Sequence, residues 1–266
     1  YMPRIAALSD RTFGSIGLNG KAIIPMILGF GCTTMATITT RMLGTQKEKR
    51  ITTFLLGLAI PCSAQLGVIA AMLSKLGLNY LAIYVLTIIA VFLAVGVLLK
   101  AVLPGTSSSL LLDLPPMRIP SLSNVLKKAI TRTVHFIKEA TPLFAAGSVL
   151  IGVMDASGVL DVIQRAAEPV VVSWLRLPRE TATAFIMGFI RRDFGAAGLT
   201  SIDLTRPQTL VALVTMSLFV PCIASVLVMV KERGRLEAAA MWIGAFTVAL
   251  VTGGLVTRVL SLASLV

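Results

Sequence analysis

Four long apolar runs constrain this chain more than any other feature of its sequence. A helix needs roughly 20 predominantly apolar residues to cross the hydrocarbon core of a bilayer. Only 14% of the residues are charged, whereas soluble domains carry about a quarter. The sequence therefore predicts an all-α, polytopic integral membrane protein. The four runs are Ile51–Leu73, Leu81–Leu103, Leu210–Val230 and Leu236–Leu260.

The same composition excludes several classes of function. The net charge of +12 lies in an apolar chain, so the basic residues are better explained as membrane-surface anchors than as a nucleic-acid site. Three cysteines and one histidine exclude a disulfide scaffold and a Cys/His-rich zinc module. A Ser-His-Asp set would have only His135, and no phosphate-binding loop motif occurs. We expect no catalytic site, and membrane lipid rather than nucleic acid as a partner.

Two further apolar stretches are poorly suited to continuous spanning helices. Ala22–Thr40 contains Pro25 and several glycines and threonines, and Ala182–Leu199 contains glycines around a charged Arg-Arg-Asp triplet. Backbone groups that leave a helix cannot face lipid without a partner. These stretches therefore predict broken or re-entrant helices that line an enclosed or hydrated cavity.

The middle of the chain differs in character from both ends. Pro104–Pro120 is a proline- and serine-rich connector, and Ser121–Ala140 has apolar residues on one helical face and basic residues on the other. This pattern predicts an amphipathic helix at the cytoplasmic membrane interface, with a soluble bundle helix as the alternative. The apolar segment Ala140–Met154 follows. We divide the chain into a first repeat with its following helix (1–103), the connector and amphipathic helix (104–140), and a second repeat with the C-terminal helices (141–266).

A sequence repeat relates the two halves of the chain. Ile60-Pro61-Cys62-Ser63-Ala64 and Val220-Pro221-Cys222-Ile223-Ala224 share an aliphatic-Pro-Cys-x-Ala pattern inside apolar spans. A Gly-Phe pair precedes each, with 32 residues from Gly29 to Pro61 and 33 from Gly188 to Pro221. The paired spacing indicates an internal duplication.

Charge placement predicts that the two repeats are inverted. One basic cluster precedes the first Pro-Cys span and another follows the second, so the spans run in opposite directions if both clusters are cytoplasmic. Ala182–Leu199 would then be a re-entrant hairpin. Inverted repeats with broken helices are typical of transporters that bind substrate near the membrane midplane. The clusters are Arg41, Lys47, Lys49 and Arg50, and then Lys231, Arg233 and Arg235.

The broken elements also carry the candidate ligands. Proline in each Pro-Cys span removes a backbone donor and frees a carbonyl oxygen one turn earlier. Thiolate and thioether groups suit soft or borderline metals, although a cysteine or methionine can also simply pack as an apolar residue. The polar side chains have interhelical hydrogen bonds or an ion pair with arginine as their alternative roles. The predicted metal-binding residues are Cys32, Cys62, Cys222, Met35, Gln65, Ser63, Ser225 and Asp193.

Several motifs together resemble the membrane domain of the ferrous iron transport protein B family. They include Gly29-Phe30-Gly31-Cys32, Pro61-Cys62-Ser63-Ala64-Gln65 and Leu114-Pro115-Pro116-Met117-Arg118, and the likeness extends over nearly the whole chain. Two departures are Thr33-Thr34-Met35-Ala36 in place of an Asn-containing Pro-Ala sequence, and Arg192-Asp193 in place of Lys-Glu.

The resemblance implies two gate-type repeats whose cysteines handle Fe²⁺ in a bacterial or archaeal cytoplasmic membrane. It also implies a preceding GTP-binding domain through which GTP and Mg²⁺ act. Because the sequence opens with Tyr1-Met2-Pro3-Arg4, we expect it to be the C-terminal part of a longer polypeptide. Further implied partners are small cytoplasmic accessory proteins and a second copy of the protein.

Three functions compete at this point. The first is ferrous iron import between the two repeats. The second is a carrier for nucleosides or another polar solute, although three tyrosines and two tryptophans offer few aromatic groups for such a pocket. The third is a scaffold subunit, which would leave the costly Arg191-Arg192-Asp193 cluster unexplained.

Overall fold

The computed structural model describes residues 2–105, 121–158, 165, 168–219 and 222–262. Among these residues, four helices are long and apolar enough to cross a membrane, or five if a pair bent by 108° forms one span. The protein is therefore a multi-pass, all-α membrane protein, as predicted. The helices are α1 (Met2–Ser15), α2 (Ile23–Gly31), α3 (Thr33–Thr39), α4 (Gln46–Ala59), α5 (Ser63–Leu76), α6 (Leu78–Val102), α7 (Leu122–Ala156), α8 (Thr181–Ile190), α9 (Arg192–Leu199), α10 (Arg206–Phe219), α11 (Ile223–Arg233) and α12 (Arg235–Leu262).

Each predicted span corresponds to one helix or to one pair of half-helices. The first Pro-Cys span is α4 followed by α5, and the second is α10 followed by α11, with positions 220 and 221 outside the described residues. The other two spans are the continuous helices α6 and α12. At the described break, the absence of an N–H donor on Pro61 explains why the first Pro-Cys span is interrupted.

The two glycine-rich stretches are broken, as predicted. Cys32 separates α2 from α3 and Arg191 separates α8 from α9, and both residues have extended backbones with φ of −152° and −143°. In the second repeat the chain folds back on itself, because a Cβ atom at Gly195 would lie 2.5 Å from the Cα atom of Gly188. Helices α8 and α9 therefore form a tight hairpin.

The ends of the two repeats meet at one end of the bundle. Arg41 binds Glu232 through two hydrogen bonds, one of 2.7 Å, and Arg50 binds Glu237. Arg233 donates to the hydroxyl of Thr40 at 2.9 Å. The start of α4 thus lies beside the end of α11, so the two Pro-Cys spans are antiparallel. The bond to Glu232 also raises the pKa of Arg41 above its ordinary value.

Helix α10 is the central element of the bundle. Every residue from Thr209 to Leu218 is buried, and α10 packs closely against α12. Gly253 permits this approach, since a Cβ atom there would lie 2.3 Å from the hydroxyl oxygen of Thr215. The second Pro-Cys break therefore follows a helix that is fixed on all sides.

The middle of the chain differs from the prediction in one respect. The predicted amphipathic helix Ser121–Ala140 and the apolar segment Ala140–Met154 form one helix, α7, of 35 residues. No glycine or asparagine directly follows Ala140 to end a helix, so the helix continues and contains Pro142. Its apolar side chains, such as Leu122 and Ile130, are exposed, and so are Lys127 and Lys128. Its position at the membrane interface stays a prediction. Positions 106–120 of the predicted connector lie outside the described residues.

Candidate functional site

The break at Pro61 places two backbone carbonyl groups in the interior. Helix α4 ends at Ala59, and Ile60 is extended with φ of −100° and ψ of 105°. The N–H group of residue 61 would normally bond the carbonyl of Gly57, but proline has none. Arg192 supplies the missing donor to Gly57, and it donates a second bond to the carbonyl of Ile60 at 3.1 Å.

The three cysteines occupy equivalent positions at their breaks. Cys32, Cys62 and Cys222 are the N-cap residues of α3, α5 and α11. All three are free thiols and are half-buried. Each cysteine therefore directly precedes the first turn of a half-helix, and none of the three side chains makes a capping hydrogen bond.

A hydrogen-bonded chain links the first repeat to the Cys222 break. The hydroxyl groups of Thr34 and Ser225 lie 3.1 Å apart, and the Ser225 hydroxyl lies 3.4 Å from the sulfur of Cys222. Within the first repeat, Ser63 donates to the carbonyl of Gly31, beside Cys32, at 3.1 Å. Half-helices from different repeats are thus joined by polar side chains at the breaks.

Arg192 lies between the two Pro-Cys breaks. Its residue surface is only 3% exposed. It interacts electrostatically with the thiols of Cys62 and Cys222 and with Tyr84. The Tyr84 hydroxyl in turn lies 2.7 Å from the hydroxyl of Ser217, in the helix that precedes the Cys222 break. One charged side chain therefore binds the Pro61 break directly and acts on the Cys222 break only through its charge.

The remaining predicted ligands have varied surroundings. Asp193 is half-buried and is bound by the neighbouring Arg191 through bonds of 3.1 and 2.8 Å, which is the ion-pair alternative considered above. Gln65 is fully buried, and both of its amide atoms are without a hydrogen-bond partner within the described chain. Met35 lies in α3, three residues after Cys32, and is half-buried.

The ligand set remains a prediction. Within the ranges that the structure describes, no three or more His, Cys, Asp or Glu side chains are grouped closely enough to hold a metal ion. Sequence reasoning missed two participants, Thr34 and the direct role of Arg192 at the Pro61 break. The signal for Arg192 was present, since a freed carbonyl needs a donor and Arg192 is a costly buried charge in the facing repeat.

Comparison with known families is consistent with this architecture. A family model for the gate domain, described as nucleoside recognition, matches residues 1–76 and 137–236. A second model, described as the C terminus of ferrous iron transport protein B, matches residues 81–132. No solved structure is significantly similar to the chain.

Several curated proteins that carry the name Fe(2+) transporter FeoB are similar to this chain. The protein from Staphylococcus aureus is 36% identical over 59% of the chain and 24% of its own length. The protein from Methanocaldococcus jannaschii is 27% identical over 88% of the chain and 40% of its own length. For Helicobacter pylori the identity is 32% over 58% of the chain and 25% of the relative. The chain thus spans less than half the length of each of these relatives.

Proposed function

Since the chain belongs to the ferrous iron transport protein B family, we propose that it forms the membrane passage through which Fe²⁺ is imported. The passage lies between the two repeats, at the level where their helices are broken. In this proposal Fe²⁺ is the transported substrate and the membrane is the cytoplasmic membrane of the cell.

The observation that carries this proposal is the contact between the breaks of opposite repeats. Arg192 of the second repeat binds the carbonyls at the Pro61 break, and Thr34 of the first repeat binds Ser225 near the Cys222 break. Broken half-helices that face one another across inverted repeats are the usual setting for an ion site in transporters. The fold therefore supplies a polar junction within the bundle.

The chemistry of this junction suits a divalent transition metal in transit. Thiols of Cys62 and Cys222, with Cys32 nearby in the first repeat, provide sulfur donors, and Gln65 and Ser225 provide neutral oxygen. Conduction requires binding that is weak enough for release, so we propose a succession of partial sites rather than a closed tetrahedral cage. Met35, Ser63 and Asp193 would complete the coordination of a partly hydrated ion along the passage.

The test is uptake of metal ions into proteoliposomes under anaerobic conditions. We expect Cys62→Ser and Cys222→Ser to lower the rate of Fe²⁺ uptake by about tenfold or more, because serine replaces a soft sulfur donor with a hard hydroxyl group. Mn²⁺, Zn²⁺ and a nucleoside are measured in parallel. Ser74→Ala is the matched control, since the Ser74 hydroxyl bonds only the Ala71 carbonyl of its own helix among the described contacts.

Two results would contradict the proposal. Unchanged Fe²⁺ uptake in both cysteine variants would remove the ligand assignment. Uptake of the nucleoside in preference to every metal ion would replace the proposed substrate with a polar solute.

Regulation and assembly extend the same proposal. We infer that GTP and Mg²⁺ act through an N-terminal GTP-binding region of the complete protein rather than through residues of this chain. Small cytoplasmic accessory proteins and a second copy of the chain are the further partners expected. Comparing uptake by the complete protein with and without GTP tests this part separately.

A further inference from the structure

The carbonyl groups at the Pro61 break have the properties of a cation site. The oxygen of Gly57 has lost its helical donor because residue 61 is proline, and the oxygen of Ile60 belongs to an extended residue between two half-helices. Unpaired carbonyl oxygens at membrane depth coordinate cations in broken-helix transporters. Here both oxygens accept hydrogen bonds from the guanidinium of Arg192, so a cation that belongs to the protein already occupies this position.

The two repeats carry different side chains directly after the break in their glycine-rich stretches. Arg192 is the first residue after the break at Arg191, and Thr33 is the first residue after the break at Cys32. Thr33 is 4% exposed, and its hydroxyl oxygen has no hydrogen-bond partner in the described part of the chain. The duplication therefore produced two related positions, of which one carries a permanent positive charge and the other a neutral hydroxyl.

A buried guanidinium in this place has consequences for any ion that enters. Arginine remains charged at all accessible pH values, and it is costly to bury without strong partners. A fixed arginine in a narrow passage raises the electrostatic barrier for cations. An entering ion must either bind protein ligands strongly enough to offset this electrostatic barrier or displace the guanidinium from the two carbonyls.

We propose that Arg192 is a tethered cation that fills the carbonyl site at the Pro61 break, and that it determines selectivity because an ion passes only by displacing it. A monovalent ion carries too little charge and binds thiols too weakly to compete, whereas a divalent transition metal can engage the nearby thiols of Cys62 and Cys222. The identity of that divalent ion as Fe²⁺ rests on the proposed function. The exclusion of monovalent ions does not rest on the proposed function.

The test is leak of K⁺ from proteoliposomes that contain wild-type protein or an Arg192 variant. We expect Arg192→Gln to raise the K⁺ leak by about tenfold or more, because glutamine keeps hydrogen-bond donors but removes the charge that opposes cations. Arg192→Lys keeps the charge, and its vesicles should stay nearly as tight as wild type. Arg179→Gln is the matched control, because Arg179 is exposed and pairs with Glu168 away from the breaks.

A chemical rescue makes the test independent of folding defects. In Arg192→Ala the site is open, and millimolar guanidinium chloride added to the vesicles should restore tightness to K⁺, whereas an equal ionic strength of NaCl should not. Three results would each overturn the proposal. They are a K⁺ leak in the Gln variant no greater than in wild type, a K⁺ leak in the Lys variant as large as in the Gln variant, and a K⁺ leak in the Ala variant that guanidinium does not reduce. If wild-type protein transports no Fe²⁺ but the K⁺ leak of Arg192→Ala is still reduced by guanidinium, the result would contradict the proposed function and leave this inference standing.

Discussion

At the scale of single residues, glycine sets how closely the two arms of the α8–α9 hairpin approach. A Cβ atom at Gly195 would lie 2.5 Å from the Cα of Gly188 and 2.8 Å from the carbonyl oxygen of Ala184. Both are backbone atoms, which cannot move without separating the helices. The position of Arg192, three residues before Gly195, therefore depends on the absence of a side chain.

We expect Gly195→Ala to destabilise the protein by about 1–3 kcal/mol, the usual cost of forcing extra volume into a packed site. The measurement is the apparent Tm in detergent, followed by the loss of monodisperse protein on size-exclusion chromatography. Gly67→Ala is the control, because a Cβ atom at this exposed position of α5 meets nothing within 4 Å. Equal Tm values for the two variants would show that the hairpin tolerates wider spacing.

Residue types predicted part of this site but not its pairing. Proline at position 61 implied a freed carbonyl, and the charged triplet Arg191-Arg192-Asp193 implied an ion pair at depth; both features are present. Sequence could not decide which arginine pairs with Asp193 and which reaches Gly57. That choice depends on the direction of two side chains after Arg191 breaks the helix, and thus on tertiary geometry.

At the scale of elements, ion pairs join the ends of the two repeats. Arg50 near the start of α4 binds Glu237 in the first turn of α12. Both side chains are about one third exposed, at 37% and 34%, so solvent screens the pair. It therefore contributes to the register between repeats more than to total stability.

A charge exchange tests this contact. We expect Arg50→Glu to lower the stability, because it places two acidic groups together. The loss should be less than about 1 kcal/mol, as is typical of exposed pairs. Arg50→Glu with Glu237→Arg should recover most of the loss in Tm. Arg11→Glu, on the exposed surface of α1, controls for the general effect of charge reversal. A double variant less stable than Arg50→Glu would argue against direct pairing.

Helix boundaries followed the sequence where a residue has a strong local effect. The breaks at Cys32 and Pro61 lie among glycines or at a proline, and all four long spans were placed within a few residues. The amphipathic segment and the apolar segment that meet at Ala140 form one helix, because a change from amphipathic to apolar composition does not by itself end a helix. Pro142 was not sufficient either, since helix α7 accommodates it.

At the scale of the whole molecule, the antiparallel arrangement of the repeats fixes which ends share a membrane face. The start of α4 and the junction of α11 with α12 meet through Arg41, Arg50 and Glu232. The ends of α5 and of the α8–α9 hairpin then belong to the opposite face, because α4–α5 and α10–α11 each form one candidate span. Most of the basic residues at the described span ends lie at the first face, although Lys75, Arg176 and Arg206 lie at the opposite one. By this majority the positive-inside rule favours the cytoplasm for the first face.

Cysteine accessibility tests this topology directly. In a variant without the three native cysteines, we expect Gly44→Cys and Leu236→Cys to react with a membrane-impermeant maleimide only in inside-out vesicles. Ser74→Cys and Ser201→Cys should react only from the outside of intact cells, and all four positions are exposed. Labelling of Gly44→Cys and Leu236→Cys from opposite faces would mean that the repeats are parallel. The two Pro-Cys breaks would then lack the inverted relationship on which a shared ion passage depends.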